Sequence, residues 1–456
     1  MNIRIALVFA LAFAVNHSTR FGHAQELEKK VMVLAEPYLD SETVVGMSIG
    51  MIQNGKTVQV HLGHLSAGGP KPTSESIYEI GSISKVFTGI LLGDAVTRGD
   101  VTLDQDAQDL LPEGVSMPKG KSRAISLLDL SIHRSGLPRL PDNFGTPNTE
   151  NPYEKYTSKQ AYEFLNAYKL TKEPGAKGEY SNFAASLLGH LLNRKAGMSY
   201  DDLLAARIAN PLGMNDTRVE FNDSMRKRLA TPYVASGVEA KNWDFADMPG
   251  AGGIRSSTTD MMKFAEACLN PPENETGKAI RLAWREHHPG GGGSPKMGLG
   301  WHFAGDGTRW HNGQTGGYHS MLLINRQLQI AVVLLTNTST GEVDQLANQV
   351  IQLLAGGTPK PRKFDETKQV DTAKMKRLEG KYQLAPNFIF TVKVQGKKLM
   401  VGITNQPTLE VFAKSETEWF YKVVPASMKF KLGKNGKARS LVLNQNGAQQ
   451  EAKRIK

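Results

Sequence analysis

Gly356 to Thr372, GGTPKPRKFDETKQVDT, has no periodicity and is rich in Gly, Pro and charge. Such a stretch reads as a linker, here spanning 356–373, and it cuts the chain into two folding units. Before it, helix and strand patterns alternate. After it, only strand patterns remain. FIFTVKV (Phe388 to Val394) and MKFKL (Met428 to Leu432) alternate, and Gly396 and the GKNG run at 433–436 supply turns. Residues 374–456 are therefore expected to form a small β-barrel or sandwich.

The segment 25–355 predicts an α+β domain. Gln25 to Tyr38 has the pattern of an amphipathic helix. VVGMSIGMIQNGKTVQVHLGHLS predicts two strands around the Asn54-Gly55 turn. A helix is expected from Ser82 to about Val96, a short one within SLLDLSIHRSGLP, and another from about Asn182. TTDMMKFAEACL predicts a helix capped by Ser257, with Asp260 three residues on. GGYHSMLLINRQLQIAVVLLTN predicts two apolar strands around Asn325-Arg326, and TGEVDQLANQVIQLLAG a closing helix. Strands at both ends of a helical middle predict one sheet built from both termini of the domain.

The N-terminus reads as an address. Arg4 precedes an apolar run from Ile5 to Val15, and Gly22 and Ala24 form a small-x-small pair. This is the pattern of a secretory signal peptide, residues 1–24, cut after Ala24. The run is short of the roughly 20 residues that span a bilayer. The mature chain is thus expected to be exported, periplasmic or extracellular, without a transmembrane segment. The single cysteine, Cys268, excludes a disulfide framework and a cysteine-based metal cluster.

Charge is unevenly spread. The chain carries +11, yet residues 374–456 hold 17 Lys and Arg against 5 Asp and Glu, and residues 25–373 are slightly acidic. No aromatic-basic recognition motif accompanies the lysines, so nucleic acid is not expected as a partner. The basic segment is either a solvated face or a docking face for an anionic envelope surface.

Chemistry concentrates in three stretches. In YEIGSISKVFTG, Ser82 and Lys85 are spaced i, i+3, one turn apart on one helix face. A hydroxyl at a helix start beside an amine has the parts of a nucleophile and its base. A capping serine followed by a surface lysine gives the same letters. Tyr180-Ser181-Asn182 lies at a turn-to-helix junction, where a phenol and an amide two residues apart can reach one cavity. His311-Asn312-Gly313 opens an apolar strand, with glycine leaving room for a substrate backbone. Alone, Tyr180 also fits a packed aromatic and His311 a core or turn histidine.

In this order, S-x-x-K, Y-x-N and H-x-G resemble the motifs of the serine β-lactamase and penicillin-binding protein superfamily, in its class C β-lactamase-like branch. IHRSGLP (132–138), NPLGMNDTRV (210–219), GAGGIRSSTTDMMKF (250–264) and MGLGWHF (297–303) agree. The resemblance covers roughly 30–355. LEGKYQL, SETEWFYK and LVLNQNGAQQEAKRI resemble the lipocalin-like β-domain appended to many such hydrolases.

The resemblance implies an antiparallel sheet flanked by helices, a helical subdomain, and catalysis without metal or cofactor. It implies Ser82 as the acylated nucleophile, Lys85 as its base and Tyr180 as a proton relay that also helps activate the deacylating water. Asn182 would hold the substrate amide, and His311 and Gly313 would line the opposite wall. The backbone N–H groups of Ser82 and Gln314 would form the oxyanion hole.

Two departures stand out. His311 replaces the lysine of the class C enzymes, so a fixed positive charge for a substrate carboxylate is missing there. Arg134 stands where the branch has threonine. The expected activity is that of a D-alanyl-D-alanine carboxypeptidase or D-amino-acid peptidase that binds penicillin. A carboxylesterase or weak β-lactamase, and a sensor that is acylated without turnover, are the alternatives. His287-His288 beside a glycine run lacks the spacing of a zinc site and predicts a loop.

Overall fold

The computed structural model describes residues 24–145, 150–291, 294–404, 406, 408–422, 426–445, 447–455. The signal peptide expected at 1–24 lies outside these residues except for Ala24, the first residue of helix α1 (24–40). No helix among the described residues is long and apolar enough to cross a membrane.

The chain divides into two compact units, the second beginning in the main at Arg362. The first is α+β. Strands β1 (Gly46–Gln53) and β2 (Lys56–Gly63) form the expected hairpin. Asn54 and Gly55 turn it with φ of 51° and 71°, the left-handed pair of the common two-residue hairpin. Helices α2 (Ser84–Thr97), α3 (Asn182–Ala196) and α4 (Thr258–Leu269) follow, among shorter ones. Then come β3 (His302–Phe303), β4 (Arg309–Gln314), β5 (His319–Asn325), β6 (Ile330–Thr336) and α5 (Val343–Leu354).

These strands make one antiparallel sheet in the order β2-β1-β6-β5-β4-β3. The central pairing, Met47↔Thr336 through Gln53↔Ile330, joins the two ends of the domain, as expected. β1, β5 and β6 are buried almost throughout, so both sheet faces are covered. That is why these strands read as apolar runs rather than alternating ones. Packing against α2 is aromatic: Phe87 stacks on Phe264 at 4.3 Å, and Phe264 on Trp301 at 6.5 Å. Ser257 caps α4, accepting from the Asp260 N–H at 3.2 Å, a contact worth about 1 kcal/mol.

The second unit is a closed barrel of eight antiparallel strands: β7 (Gly380–Ala385), β8 (Phe388–Gln395), β9 (Lys398–Ile403), β10 (Leu409–Ala413), β11 (Glu418–Phe420), β12 (Ala426–Leu432), β13 (Ala438–Gln445) and β14 (Ala448–Arg454). Closure is made by Tyr382↔Arg454 and Gln383↔Lys453. Inward residues such as Tyr382, Phe390, Val401, Phe430 and Leu441 fill it as a core.

Candidate active site

α2 has no side-chain cap. It grows out of a single 3-10 turn, Gly81–Ile83, whose glycine has φ +49°. This turn places Ser82 one helical turn before Lys85. Lys85 Nζ lies 2.9 Å from Ser82 Oγ and donates to the Ala251 carbonyl at 2.7 Å. Lys85 is buried, which pushes its pKa well below the usual lysine value; the Arg139 cation lowers it further. A neutral amine can donate to Ala251 and accept from Ser82 at once. Ser84 is directed elsewhere: its buried hydroxyl accepts from the Ile254 N–H at 3.1 Å.

Tyr180 and Asn182 reach the same place because Ser181 between them caps α3. Its hydroxyl accepts from the Ala184 N–H at 2.9 Å and donates to the Pro138 carbonyl at 2.6 Å. Lys85 Nζ stands 4.9 Å from the Tyr180 ring centroid and the Arg139 guanidinium 5.2 Å from it. Burial raises the Tyr180 phenol to about 12, with Ser82 and Arg139 partly offsetting it, so it rests protonated. Asn182 donates to the Tyr153 hydroxyl at 2.9 Å, while its buried carbonyl oxygen has no partner among the described residues. Beside it, Phe144, Tyr153, Tyr156 and Phe245 line an apolar pocket.

On the facing strand β4, His311 is buried and its Nδ1 donates to the Asn312 carbonyl at 2.6 Å. Burial, then His302 and Lys85, hold its pKa well below the ordinary value. The neutral ring therefore keeps Nε2 as an acceptor, and no described residue engages it. Two more histidines join it. His302 lies 4.9 Å from His311, with a pKa depressed to about 4 by burial and Lys85. His133, at φ +59°, lies 4.5 Å from Tyr180 and accepts from the Ser181 N–H at 3.2 Å. Burial depresses its pKa strongly as well. Three uncharged imidazoles thus surround the Tyr180 phenol.

Gly313 is required by approach: a Cβ there would stand 2.0 Å from the Ile80 carbonyl oxygen. Thr315 N–H donates to the Tyr318 carbonyl, so alternation along the antiparallel ladder leaves the Gln314 N–H off it. That N–H lies against the Ser82 turn, where a Cβ on Gly81 would come within 2.6 Å of Gln314 N. The Gln314 side chain is exposed and bonds Ser339 at 3.0 Å. From α5, Asp344 fixes the outer face of β4 through Asn312 at 2.9 Å and the neighbouring β5 through His319 at 2.7 Å.

The structure brings Ser82, Lys85, Tyr180, Asn182, His311, Gly313 and the Gln314 backbone to one site. It adds Arg139, His133, His302 and Tyr153, to which sequence reasoning gave no role. Arg134 is structural: it is buried and donates from Nε to the Gly175 carbonyl at 2.9 Å, tying down the loop before Tyr180. The His287 side chain bonds the Leu282 carbonyl of the preceding helix and His288 accepts from the Gly290 N–H, both backbones pair with Met297, and no group of metal-ligating side chains occurs among the described residues.

A family model described as Beta-lactamase matches residues 33–356, and one described as a domain of unknown function (DUF3471) matches 365–454. A β-lactamase of Pseudomonas fluorescens is 28% identical over 59% of this chain and 71% of its own. Penicillin-binding protein 4* of Bacillus subtilis (strain 168) is 26% identical over 84% of this chain and 88% of its own. A solved β-lactamase/D-alanine carboxypeptidase from Yersinia pestis is 25% identical, with a TM-score of 0.63, over 73% of this chain and 99% of its own.

Proposed function

The chain belongs to the beta-lactamase family and is a serine hydrolase of the β-lactamase/DD-peptidase type, and on that premise we propose that it forms an acyl-enzyme on Ser82 and acts first as a D-alanyl-D-alanine carboxypeptidase or D-amino-acid peptidase. The observation that carries this reading is the 2.9 Å contact between Ser82 Oγ and a lysine whose charge is disfavoured.

Neutral Lys85 takes the proton as Ser82 Oγ attacks the acyl carbon. The carbonyl oxygen gathers charge between the N–H groups of Ser82 and Gln314; losing one such donor costs about 3 kcal/mol. Tyr180, a phenol at rest, passes the proton to the leaving amine and then helps orient the deacylating water. Asn182 holds the substrate amide. No metal or cofactor is called on.

His311 brings no positive charge to a substrate carboxylate. Arg139, exposed beside Tyr180, supplies one from the other side, which favours peptides ending in a free carboxylate. This ranks a carboxylesterase or weak β-lactamase second and a non-turnover penicillin sensor third. We further propose that the protein is exported to the periplasm or beyond, and that its basic residues 374–456 hold it at an anionic envelope surface.

The test is parallel incubation with a fluorescent penicillin, a D-Ala-D-Ala peptide and p-nitrophenyl butyrate. Release of D-alanine with transient labelling is expected. Stable labelling without any product would overturn the peptidase reading in favour of the sensor.

A further inference from the structure

The barrel strands run alternately up and down, so their connections fall at two ends. One end holds the helix Thr372–Lys376, the β8–β9, β10–β11 and β12–β13 turns and the end of β14, as the pairings Gln395↔Lys398, Ala413↔Trp419, Leu432↔Ala438 and Tyr382↔Arg454 require. The other end holds the β7–β8, β9–β10, β11–β12 and β13–β14 connections.

Charge divides with them. The four connections of the second end contain a single charged residue, Lys422. At the first end Lys374, Lys398 and Lys414 are paired, with Glu416, Glu410 and Asp365. Beyond these, Lys376, Arg377, Lys397, Lys434 and Lys437 are all exposed there, without an ion-pair partner among the described residues. A merely solvated barrel has no reason to sort its cations in this way.

The same end carries bare apolar groups. Leu432 is 39% and Ile455 51% exposed, the two large apolar side chains left open among the described residues of the barrel. Leu432 should face inward by the alternation of β12. A bulge after Lys431 breaks the register and turns it out. A soluble polyanion asks for charge alone. Cations set around exposed aliphatic side chains fit a lipid interface, where lysines meet anionic headgroups and apolar groups enter the acyl boundary.

We propose that this end of the barrel is a docking face for an anionic phospholipid bilayer. The proposal rests on the reading of residues 374–456 as the anchoring segment and narrows it to one end and one partner.

The test uses the full chain after signal removal, with phosphatidylcholine vesicles containing one-third phosphatidylglycerol, phosphatidylcholine vesicles alone, and peptidoglycan sacculi. At about fivefold per charge, the triple variant Lys397→Gln, Lys434→Gln, Lys437→Gln loses about a hundredfold in affinity for the anionic vesicles. Removing the cation of the opposite end, by Lys422→Gln, loses less than about twofold, because a strand length of several residues at roughly 3.3 Å each puts it beyond the roughly 8 Å screening length from the lipid. Leu432→Ser with Ile455→Ser weakens binding at unchanged salt dependence. Unaltered thermal unfolding verifies that the variants are folded. A loss from Lys422→Gln equal to the triple variant's loss per charge overturns the oriented face and leaves only general attraction by the segment. Binding to sacculi but not vesicles overturns the lipid partner. Binding to neither overturns the anchoring reading itself.

Discussion

Lys85 Nζ sits 2.9 Å from Ser82 Oγ, in a site where burial and Arg139 both act against the ammonium form. Ser82→Ala should therefore abolish covalent labelling by penicillin or a fluorophosphonate. Ser84→Ala should keep the label and lose about 1–3 kcal/mol of stability, because it orphans the buried Ile254 N–H. Mass spectrometry of the labelled protein and denaturant unfolding measure the two outcomes. A labelled Ser82→Ala protein would remove Ser82 from the mechanism.

Arg139 couples to both proton transfer and substrate. Acylation needs neutral Lys85, so its rate falls as pH drops through the depressed lysine pKa. Arg139→Gln removes a cation that lowers that pKa, so the acidic limb of kcat/KM should move to higher pH. The same variant should lose about 10–100-fold in kcat/KM on a D-Ala-D-Ala peptide, as for one charge-assisted hydrogen bond, and much less on p-nitrophenyl butyrate. An unmoved limb would uncouple Arg139 from Lys85.

The buried histidines set an acid limit for stability. Each has a folded pKa below the unfolded 6.5. The unfolded chain then binds more protons, so stability falls as pH drops below 6.5. The loss levels off below the folded value, about 4 for His302. No break is expected above 6.5. His302→Asn should flatten the pH dependence of the melting temperature between 6.5 and 4, and a slope left intact would exclude His302 as its source.

Gly313→Ala tests the oxyanion hole through packing alone. Its methyl would have to occupy the place of the Ile80 carbonyl oxygen, 2.0 Å away, pushing β4 off the Ser82 turn. Acylation should slow about 10²–10³-fold, with labelling still confined to Ser82. A rate within threefold of the parent would mean that the Gln314 N–H does not serve the reaction.

Local chemistry was readable in the sequence where it is truly local. Asn54-Gly55 announces its hairpin, Ser257 its helix, and the i, i+3 spacing of Ser82 and Lys85 their shared face. Arg139, His133 and His302 gave no such signal. His133 lies in IHRSGLP, Arg139 directly after it and His302 in MGLGWHF, yet their roles depend on being packed around Tyr180 from separate segments, and no periodicity records that. The barrel was legible as alternating strands, whereas its closure depends on Tyr382 meeting Arg454 at the opposite end of the segment. A histidine in H-x-G suggests a group that titrates near neutrality; burial removes that behaviour, and only the fold reveals the burial.

The sheet that joins both ends of the first unit also sets when the enzyme can first act. The Ile80 carbonyl beside the nucleophile is held by the Ser320 hydroxyl, 240 residues further on. Until β4, β5 and β6 have been synthesised and have docked beside β1, Ser82 has neither its oxyanion partner nor its fixed turn. On the proposed mechanism, a chain that lacks these strands cannot form the acyl-enzyme, and Ser82 becomes reactive only inside the pocket that confines it.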